Sequence, residues 1–211
     1  MYLTRVEIDT EDRRKVRNLT HLGAFHNWVE RSFPEELVQG VRSRKLWRID
    51  QIKGKKYLLI LSETLPDIKA LEMYGKEGSV QCKNYDTYLQ KLIEGERLRF
   101  RLVANPVHAV QQEMGKRGVE KPHVTVQHQL EYLMERTEKN GFCIAEDEVR
   151  IVERGFEVFR KQGNKQVRVV KAAYEGVLTI TDLERFREVL VQGIGKKKAY
   201  GFGFLTVIPE G

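Results

Sequence analysis

Residues 149–180 read VRIVERGFEVFRKQGNKQVRVVKAAYEGVLTI, two long runs in which apolar and polar side chains alternate. Alternation with a period of two is typical of β-strands that place one face on a core. The pair Gly163 and Asn164 between the two runs favours a tight turn. The stretch therefore predicts a long β-hairpin, and its neighbours decide what kind of sheet it joins.

A strand and a helix precede this hairpin, and a helix and a strand follow it. The helix before the hairpin closes with the C-cap signal Asn140-Gly141, and the helix after it opens with Asp182 as an N-cap. The four flanking elements cover residues 96–106, 124–141, 182–194 and 203–209. The predicted order is strand, helix, strand, strand, helix, strand.

The same order occurs once before, in the first half of the chain. Apolar residues at spacings of three and four mark a helix that Pro34 stops, and Lys53, Gly54 and Lys55 join two strands into a hairpin. The successive elements are residues 2–8, 20–33, 45–52, 56–63, 67–74 and 78–83. We therefore predict an α+β fold of two tandem ferredoxin-like (RRM-like, βαββαβ) domains, residues 1–94 and 95–211.

The composition favours an anionic partner. Lys and Arg number 37 against 30 acidic residues, which gives a formal charge of +7. Such a charge suits nucleic acid or a membrane surface, although a merely basic protein would show it too. The βαββαβ order alone does not decide, because RNA-recognition modules use it with a signature that this chain lacks.

Cysteine usage and the N-terminus indicate the compartment. Cys82 and Cys143 are far apart, so the sequence supports neither a disulfide framework nor a zinc ribbon. The N-terminus is charged within a few residues, and no run is long and apolar enough to span a membrane. We expect a cytoplasmic protein without membrane attachment.

A glycine-rich stretch, GIGKKKAYGFGFLTV, occupies residues 193–207. Glycine lets a backbone approach a ligand closely, and successive backbone N–H groups can hold an anion. With Lys196, Lys197 and Lys198 added, the stretch resembles a phosphate cradle. It matches neither of the common nucleotide-binding patterns, so a solvated connector between helix and strand is an equally good interpretation.

The stretch fits the pattern G-x-G-x-x-K-x-x-G-x-G-x-L, carried here by Gly193, Gly195, Lys198, Gly201, Gly203 and Leu205. A basic tandem-ferredoxin chain with this loop before its last strand resembles the repeat-associated (RAMP) superfamily of CRISPR proteins. The motifs MYLTRVEI, LRFRLVANP and YEGVLTI, in this order, narrow the resemblance to the CasE family over essentially the whole chain.

The resemblance implies a function. CasE proteins are endoribonucleases of type I-E systems that cut CRISPR repeat RNA at the base of a hairpin, without metal or other cofactor. The ribose 2′-hydroxyl attacks the adjacent phosphorus, which leaves a 2′,3′-cyclic phosphate or 3′-phosphate and a 5′-hydroxyl end. The product stays bound with other subunits of the Cascade complex. A free chain is expected to be a monomer.

His26 lies where the family carries its catalytic histidine, near the start of the predicted first helix. Relatives have a tyrosine three residues earlier, where this chain has Gly23, so the second proton-transfer group is open. His21 is one candidate, and Arg31 is a candidate for holding the scissile phosphate. Five-residue steps separate His21 from His26 and His123 from His128, and such steps do not share a helix face for chelating a metal.

RNA binding is expected from clustered basic side chains. A β-hairpin with long basic side chains can lie along the groove of an RNA stem and contact its phosphates. The expected RNA-binding residues are Lys116, Arg117, Lys121, Arg160, Lys161, Lys165, Arg168, Lys196, Lys197 and Lys198.

Three alternatives remain at this point. A non-catalytic RNA-binding subunit of the same superfamily would keep the loop and the hairpin but not need His26. A metal-dependent nuclease would need clustered carboxylates, which the sequence does not offer at ligand spacing. A small-metabolite-binding ferredoxin-like domain would bind no hairpin RNA.

Overall fold

The computed structural model describes residues 1–110, 119–160 and 166–210, with only the backbone of Arg160 and Gln166. The first half contains β1 (Tyr2–Glu7), α1 (Arg13–Val16), α2 (Leu22–Arg31), α3 (Pro34–Gln39), β2 (Leu46–Ile52), β3 (Lys55–Ser62), α4 (Ile68–Glu72), β4 (Gln81–Asn84) and α5 (Asp86–Leu89). The second half contains β5 (Arg97–Ala104), β6 (Val107–Val110), β7 (Val119–Pro122), α6 (Val126–Met134), β8 (Phe142–Cys143), β9 (Val149–Arg160), β10 (Gln166–Ile180), α7 (Leu183–Gln192) and β11 (Leu205–Pro209).

The first half forms a four-stranded antiparallel sheet in the order β2-β3-β1-β4. The hairpin of β2 and β3 turns at Lys53 and Gly54, which both have positive φ angles, as a tight two-residue hairpin requires. The side chains of Trp28 and Val29 on α2 are buried in the core of this half. Pro34 ends α2 as predicted and also begins α3, where the missing N–H of proline has no helical partner to lose.

The second half forms a sheet in the order β11-β5-β10-β8, and β9 also pairs with β10. The predicted long hairpin is present, with a register running from Arg160 opposite Gln166 to Val149 opposite Gly176. Its turn at Gly163 and Asn164 lies outside the described residues. The α+β class is confirmed, because both halves combine antiparallel sheets with helices.

The helix predicted over residues 124–141 is too long. In the structure α6 ends at Met134, and a separate 3-10 turn covers Glu138–Asn140. At this point side chains donate hydrogen bonds to backbone carbonyls at the end of the helix. The Arg136 guanidinium donates to the carbonyl of Tyr132, and the Thr137 hydroxyl donates to that of Met134. The predicted cap at Gly141 is correct in position, but it closes the 3-10 turn and not the α-helix.

The two halves share buried structure. Leu46 and Leu61 of the first sheet belong to the same apolar cluster as the core of the second half. The Arg48 guanidinium donates two hydrogen bonds to the Asp50 carboxylate, each 2.7 Å long. It donates a third to the backbone carbonyl of Arg101 and a fourth to that of Phe204. Arg48 therefore joins β2 to β5 and to the segment before β11.

Asp50 completes this connection. Arg101 also donates to Asp50, at 3.1 Å, and pairs with Glu175. Burial disfavours ionisation of Asp50, but hydrogen bonds from Arg48 and the charges of Arg48 and Arg101 outweigh it and hold the Asp50 pKa below its usual value. Within the described ranges, no helix is long and apolar enough to cross a membrane.

Candidate active site

The helix α2 carries His26, and its first turn explains why His21 and Gly23 are there. His21 is the N-cap, and its Nδ1 accepts a hydrogen bond of 3.2 Å from the backbone N–H of Ala24. A Cβ atom at position 23 would lie 3.0 Å from two atoms of the His21 ring. The imidazole of His21 therefore occupies space that a side chain at position 23 would enter, and its Nδ1 serves the helix.

Packing of α2 sets the direction in which His26 points. Trp28 is buried and donates to the carbonyl of Ala70 at 3.1 Å, while the Phe25 ring stacks on Trp47 at 6.2 Å. His26 is the fifth residue of α2, which is the helix predicted over residues 20–33, and the short helix α1 that precedes it was not predicted. The half-buried imidazole faces the glycine-rich stretch.

The glycine-rich stretch folds into a fixed loop after α7. Ile194 donates to the carbonyl of Gly203 at 2.8 Å, and Gly203 donates to that of Val103 at 2.7 Å. Within the loop, Lys198–Tyr200 form a 3-10 turn, and Trp47 donates to the carbonyl of Ala199 at 3.1 Å. The loop is therefore tied to both sheets.

Close packing against the protein explains glycine in this loop. Gly201 has a φ of 82°, and a Cβ there would lie 2.8 Å from the Trp47 ring. An added Cβ would also meet protein atoms at the other three glycines of the pattern, Gly193, Gly195 and Gly203. The sequence suggested that these glycines let the loop backbone approach a ligand. In the structure they let the loop pack closely against other residues of the protein.

The loop brings an aromatic side chain to His26 that sequence reasoning missed. The ring centroids of His26 and Tyr200 are 5.5 Å apart, with the planes tilted by 49°. Tyr200 also stacks on the Phe159 ring of β9, with centroids 4.4 Å apart and an angle of 16°. These three residues lie on α2, β9 and the glycine-rich loop, which are far apart in the sequence. No motif or spacing in the sequence therefore indicates their contact.

Burial lowers the pKa of His26, and the positive charges of Arg42 and Lys45 act in the same direction. The charge of Glu30 and a hydrogen bond to the Ala199 carbonyl oppose this shift without cancelling it. His26 is therefore largely neutral at neutral pH, and a neutral imidazole can accept a proton.

Two cations that the sequence did not single out, Lys45 and Arg44, lie around the helix and the loop that form this site, together with the predicted Lys198. Lys45 is buried, with its Nζ 2.5 Å from Glu36 and 3.9 Å from Glu30. Arg44 donates to the side chain of Gln192 at 2.6 Å, and Lys198 donates to the backbone carbonyl of the same residue at 2.8 Å. Burial lowers the pKa of Lys198, and the charge of Arg44 lowers it further.

Arg31 is exposed at the end of α2. It follows His26 by five residues, which is 140° beyond a full helical turn. The two residues therefore lie on different faces of α2. A role for Arg31 at the scissile phosphate stays a prediction, as does proton transfer by His21.

The three loop lysines do not form one cradle. Lys196 contacts Glu120 of β7 at 2.9 Å, and Lys197 lies 3.9 Å from the same carboxylate. Lys198 turns away toward the end of α7. Their contribution to RNA binding stays a prediction.

The remaining basic candidates divide into described and undescribed residues. Lys121 is exposed on β7, and Arg168 is exposed on β10 with its guanidinium carbon 4.6 Å from the centroid of the Phe156 ring. The side chains outside the described residues are those of Lys116, Arg117, Arg160, Lys161 and Lys165.

The histidines of the second half are closer together than their spacing suggested. His123 precedes α6, so the helical five-residue argument does not apply to it, and its ring lies 5.8 Å from His128 and 4.6 Å from His108. Within the ranges that the structure describes, no three His, Cys, Asp or Glu side chains are arranged to hold a metal ion.

Fold and site together define a basic α+β protein with a histidine held between a helix and a glycine-rich loop. A family model described as "CRISPR associated protein" matches residues 1–209. The chain is 33% identical over 220 residues to the CRISPR-associated endoribonuclease Cse3 of Thermus thermophilus, covering 99% of this chain and 100% of that one. It is 29% identical over 119 residues to the Cascade subunit CasE of Escherichia coli, covering 54% and 59% of the two chains.

Solved structures of related proteins show the same similarity at the level of the fold. A structure of Thermus thermophilus Cse3 bound to an RNA representing a pre-cleavage complex has a TM-score of 0.81 at 28% identity, covering 99% of this chain and 98% of that one. The chain therefore belongs to the CRISPR-associated protein family, among the relatives of the Cse3 and CasE endoribonucleases. The resemblance inferred from the sequence motifs and the tandem ferredoxin-like fold are confirmed.

Proposed function

We propose that this chain is a metal-independent endoribonuclease that binds the stem-loop of CRISPR repeat RNA and cuts at its base. The observation that carries the proposal is the half-buried imidazole of His26, which α2 holds against Tyr200 of the glycine-rich loop and whose pKa burial lowers, in a chain related throughout its length to Cse3. Cse3 of Thermus thermophilus forms a pre-cleavage complex with RNA, and a site of the same fold supports the same chemistry here.

The chemistry follows from the state of His26. A neutral imidazole accepts the proton of the ribose 2′-hydroxyl as the 2′-oxygen attacks the adjacent phosphorus. The bond from phosphorus to the 5′-oxygen of the next nucleotide breaks. The upstream product then ends in a 2′,3′-cyclic phosphate, and the downstream product begins with a 5′-hydroxyl.

Positive charge supports the anionic transition state. The Arg44 and Lys198 side chains meet at Gln192, next to the 3-10 turn that contacts His26. Cations placed before the reaction stabilise developing negative charge more effectively than water does. We therefore propose that side chains alone supply the charge, and that cleavage proceeds in excess chelator.

RNA binding is proposed for the basic hairpin and loops. Arg168 and Lys121 are exposed, and the whole chain carries a formal charge of +7. Contacts between basic side chains and phosphates make RNA affinity fall with rising salt. The undescribed candidates of these loops, Lys116, Arg117, Arg160, Lys161 and Lys165, belong to the same proposal.

The relative from Escherichia coli is a Cascade subunit, which supports a place for this chain in such a complex. We propose that the chain is a cytoplasmic monomer when free and keeps the cleaved repeat within Cascade. Its working division is residues 1–94 and 95–211, with His26 on the first part and the long hairpin on the second.

The test uses a labelled hairpin RNA of the repeat from the host's own CRISPR array, with EDTA in excess. We expect one cut at the base of the stem and the product ends named above. If the chain binds the hairpin but no cut occurs with or without added metal, the non-catalytic alternative is correct. Cleavage only after a divalent metal is added would contradict metal independence.

A further inference from the structure

The reaction proposed above needs a proton donor for the leaving 5′-oxygen, and His26 cannot donate while it accepts the 2′-hydroxyl proton. Its charged neighbours bind one another. Lys45 lies between Glu36 and Glu30, and Glu30 is 3.9 Å from Arg42. His21 uses Nδ1 to cap α2. A donor in contact with the His26 imidazole itself would complete the pair of proton-transfer groups.

Tyr200 is the hydroxyl-bearing side chain whose ring lies against His26, at 5.5 Å between centroids. A phenolic hydroxyl both donates and accepts hydrogen bonds. The ring is only partly buried, so an RNA strand that reaches His26 can reach it as well. The ring contact therefore brings a side chain that can donate a proton next to one that can accept a proton.

The position of Tyr200 is fixed before RNA binds. Its ring stacks on Phe159, which is 1% exposed, and its backbone belongs to the 3-10 turn that Trp47 holds through the Ala199 carbonyl. Gly201 then lets the chain leave the turn over the face of Trp47. Such support from packed neighbours is what a catalytic side chain requires.

Building on the endoribonuclease function proposed above, we propose that Tyr200 is a second catalytic residue, whose hydroxyl contacts the scissile phosphodiester and protonates the leaving 5′-oxygen. The bond between the 2′-oxygen and phosphorus forms while the bond to the 5′-oxygen breaks. His26 gains the 2′-hydroxyl proton, and Tyr200 loses its phenolic proton to the leaving oxygen. Proton exchange with water restores both side chains.

Tyr200→Phe is the direct test, because phenylalanine keeps the stack on Phe159 and removes only the hydroxyl. We expect single-turnover cleavage of the repeat hairpin to slow by on the order of 10²-fold, with hairpin affinity and melting temperature unchanged. Tyr57→Phe is the matched control, since Tyr57 is a partly buried tyrosine of β3 that packs against Arg5. Unchanged cleavage by Tyr200→Phe overturns the proposal, and so does a loss of rate that merely follows a loss of affinity.

A second substrate separates proton donation from other roles of the hydroxyl. Replacing the leaving 5′-oxygen by sulfur gives a leaving group that departs without a proton. We expect this substrate to restore Tyr200→Phe to within several-fold of the unmodified protein but to leave His26→Ala slow. If the sulfur substrate rescues His26→Ala and not Tyr200→Phe, the donor is His26 and the proposal is wrong.

The two proposals fail in different ways. If the unmodified protein does not cut the hairpin at all, the endoribonuclease function itself fails. If the unmodified protein and the Tyr57→Phe control cut normally and Tyr200→Phe cuts equally fast, only the role of Tyr200 is rejected.

Discussion

At the scale of single residues, the surroundings of His26 determine whether its imidazole is neutral and can accept a proton. Burial lowers the pKa of His26 from the usual 6.5, so the neutral, proton-accepting form persists to lower pH than in an exposed histidine. Acid converts the imidazole to a form that cannot accept a proton. We predict that the cleavage rate rises as pH is raised through the His26 pKa and that the midpoint of this rise lies below 6.5. A midpoint well above the usual histidine value in a pH series of single-turnover rates would contradict a base in this environment.

The second prediction at this scale is the effect of removing the imidazole. His26→Ala should reduce cleavage by at least about 10²–10⁴-fold, the usual contribution of a general base, while hairpin affinity stays close to normal because phosphate contacts dominate it. The control is His128→Ala, which removes an exposed histidine of α6. Rates and affinities measured on the same RNA check the prediction. Normal cleavage by His26→Ala would reject the site.

At the scale of elements, the glycine-rich loop contacts His26 and is hydrogen-bonded to strands of both sheets. Its Gly201 combines a φ of 82° with a Cβ position 2.8 Å from Trp47, whereas Gly40 has a φ of 67° and open space around it. We predict that Gly201→Ala destabilises the protein by about 1–3 kcal/mol and that Gly40→Ala costs less, since it carries only the backbone strain. Urea unfolding of both variants tests this. Equal losses of stability would show that packing against Trp47 is unimportant.

The lysines of the same loop give a prediction on binding. Replacing Lys196, Lys197 and Lys198 together by Gln should weaken RNA binding and reduce the slope of log affinity against log salt, by about one unit for each phosphate that the variant no longer neutralises. Two of these lysines lie beside Glu120 in the free protein, so RNA must compete with that carboxylate for them. An unchanged slope in salt titrations would make the loop a structural connector only.

At the scale of the whole molecule, Arg48 and Asp50 hold the two halves together. Arg48→Leu removes one of the two charges that offset buried Asp50 and leaves Arg101 as its remaining partner, and we predict a loss of up to about 3–5 kcal/mol. The pKa of Asp50 is lower in the folded state than in the unfolded chain, so its stabilisation is complete above about pH 4 and is lost as pH falls through the folded pKa. Stability of the unmodified protein should therefore fall in acid by more than that of Asp50→Asn. Urea unfolding at several pH values measures the free energy of unfolding of both proteins. If the unmodified protein and Asp50→Asn lose the same stability in acid, the prediction is wrong.

The sequence predicted what depends on local pattern. The long hairpin of β9 and β10 follows from alternation along each strand, and a hairpin turn at Lys53 and Gly54 follows from local turn chemistry. Motif resemblance led to His26. The contact of Tyr200 with His26 could not be predicted, because it depends on how the loop, β9 and α2 pack in three dimensions. The early end of α6 likewise depends on side chains that bond helix carbonyls.

The central claim is that His26 activates the ribose 2′-hydroxyl of the repeat hairpin. The most direct measurement compares the all-ribose hairpin with one carrying a single 2′-deoxy sugar just upstream of the cut, in excess EDTA, with analysis of product ends. The account predicts that both RNAs bind equally, that only the ribose form is cut, and that its products carry a 2′,3′-cyclic phosphate and a 5′-hydroxyl. Cleavage of the deoxy hairpin, or a 5′-phosphate on the downstream product, would contradict it.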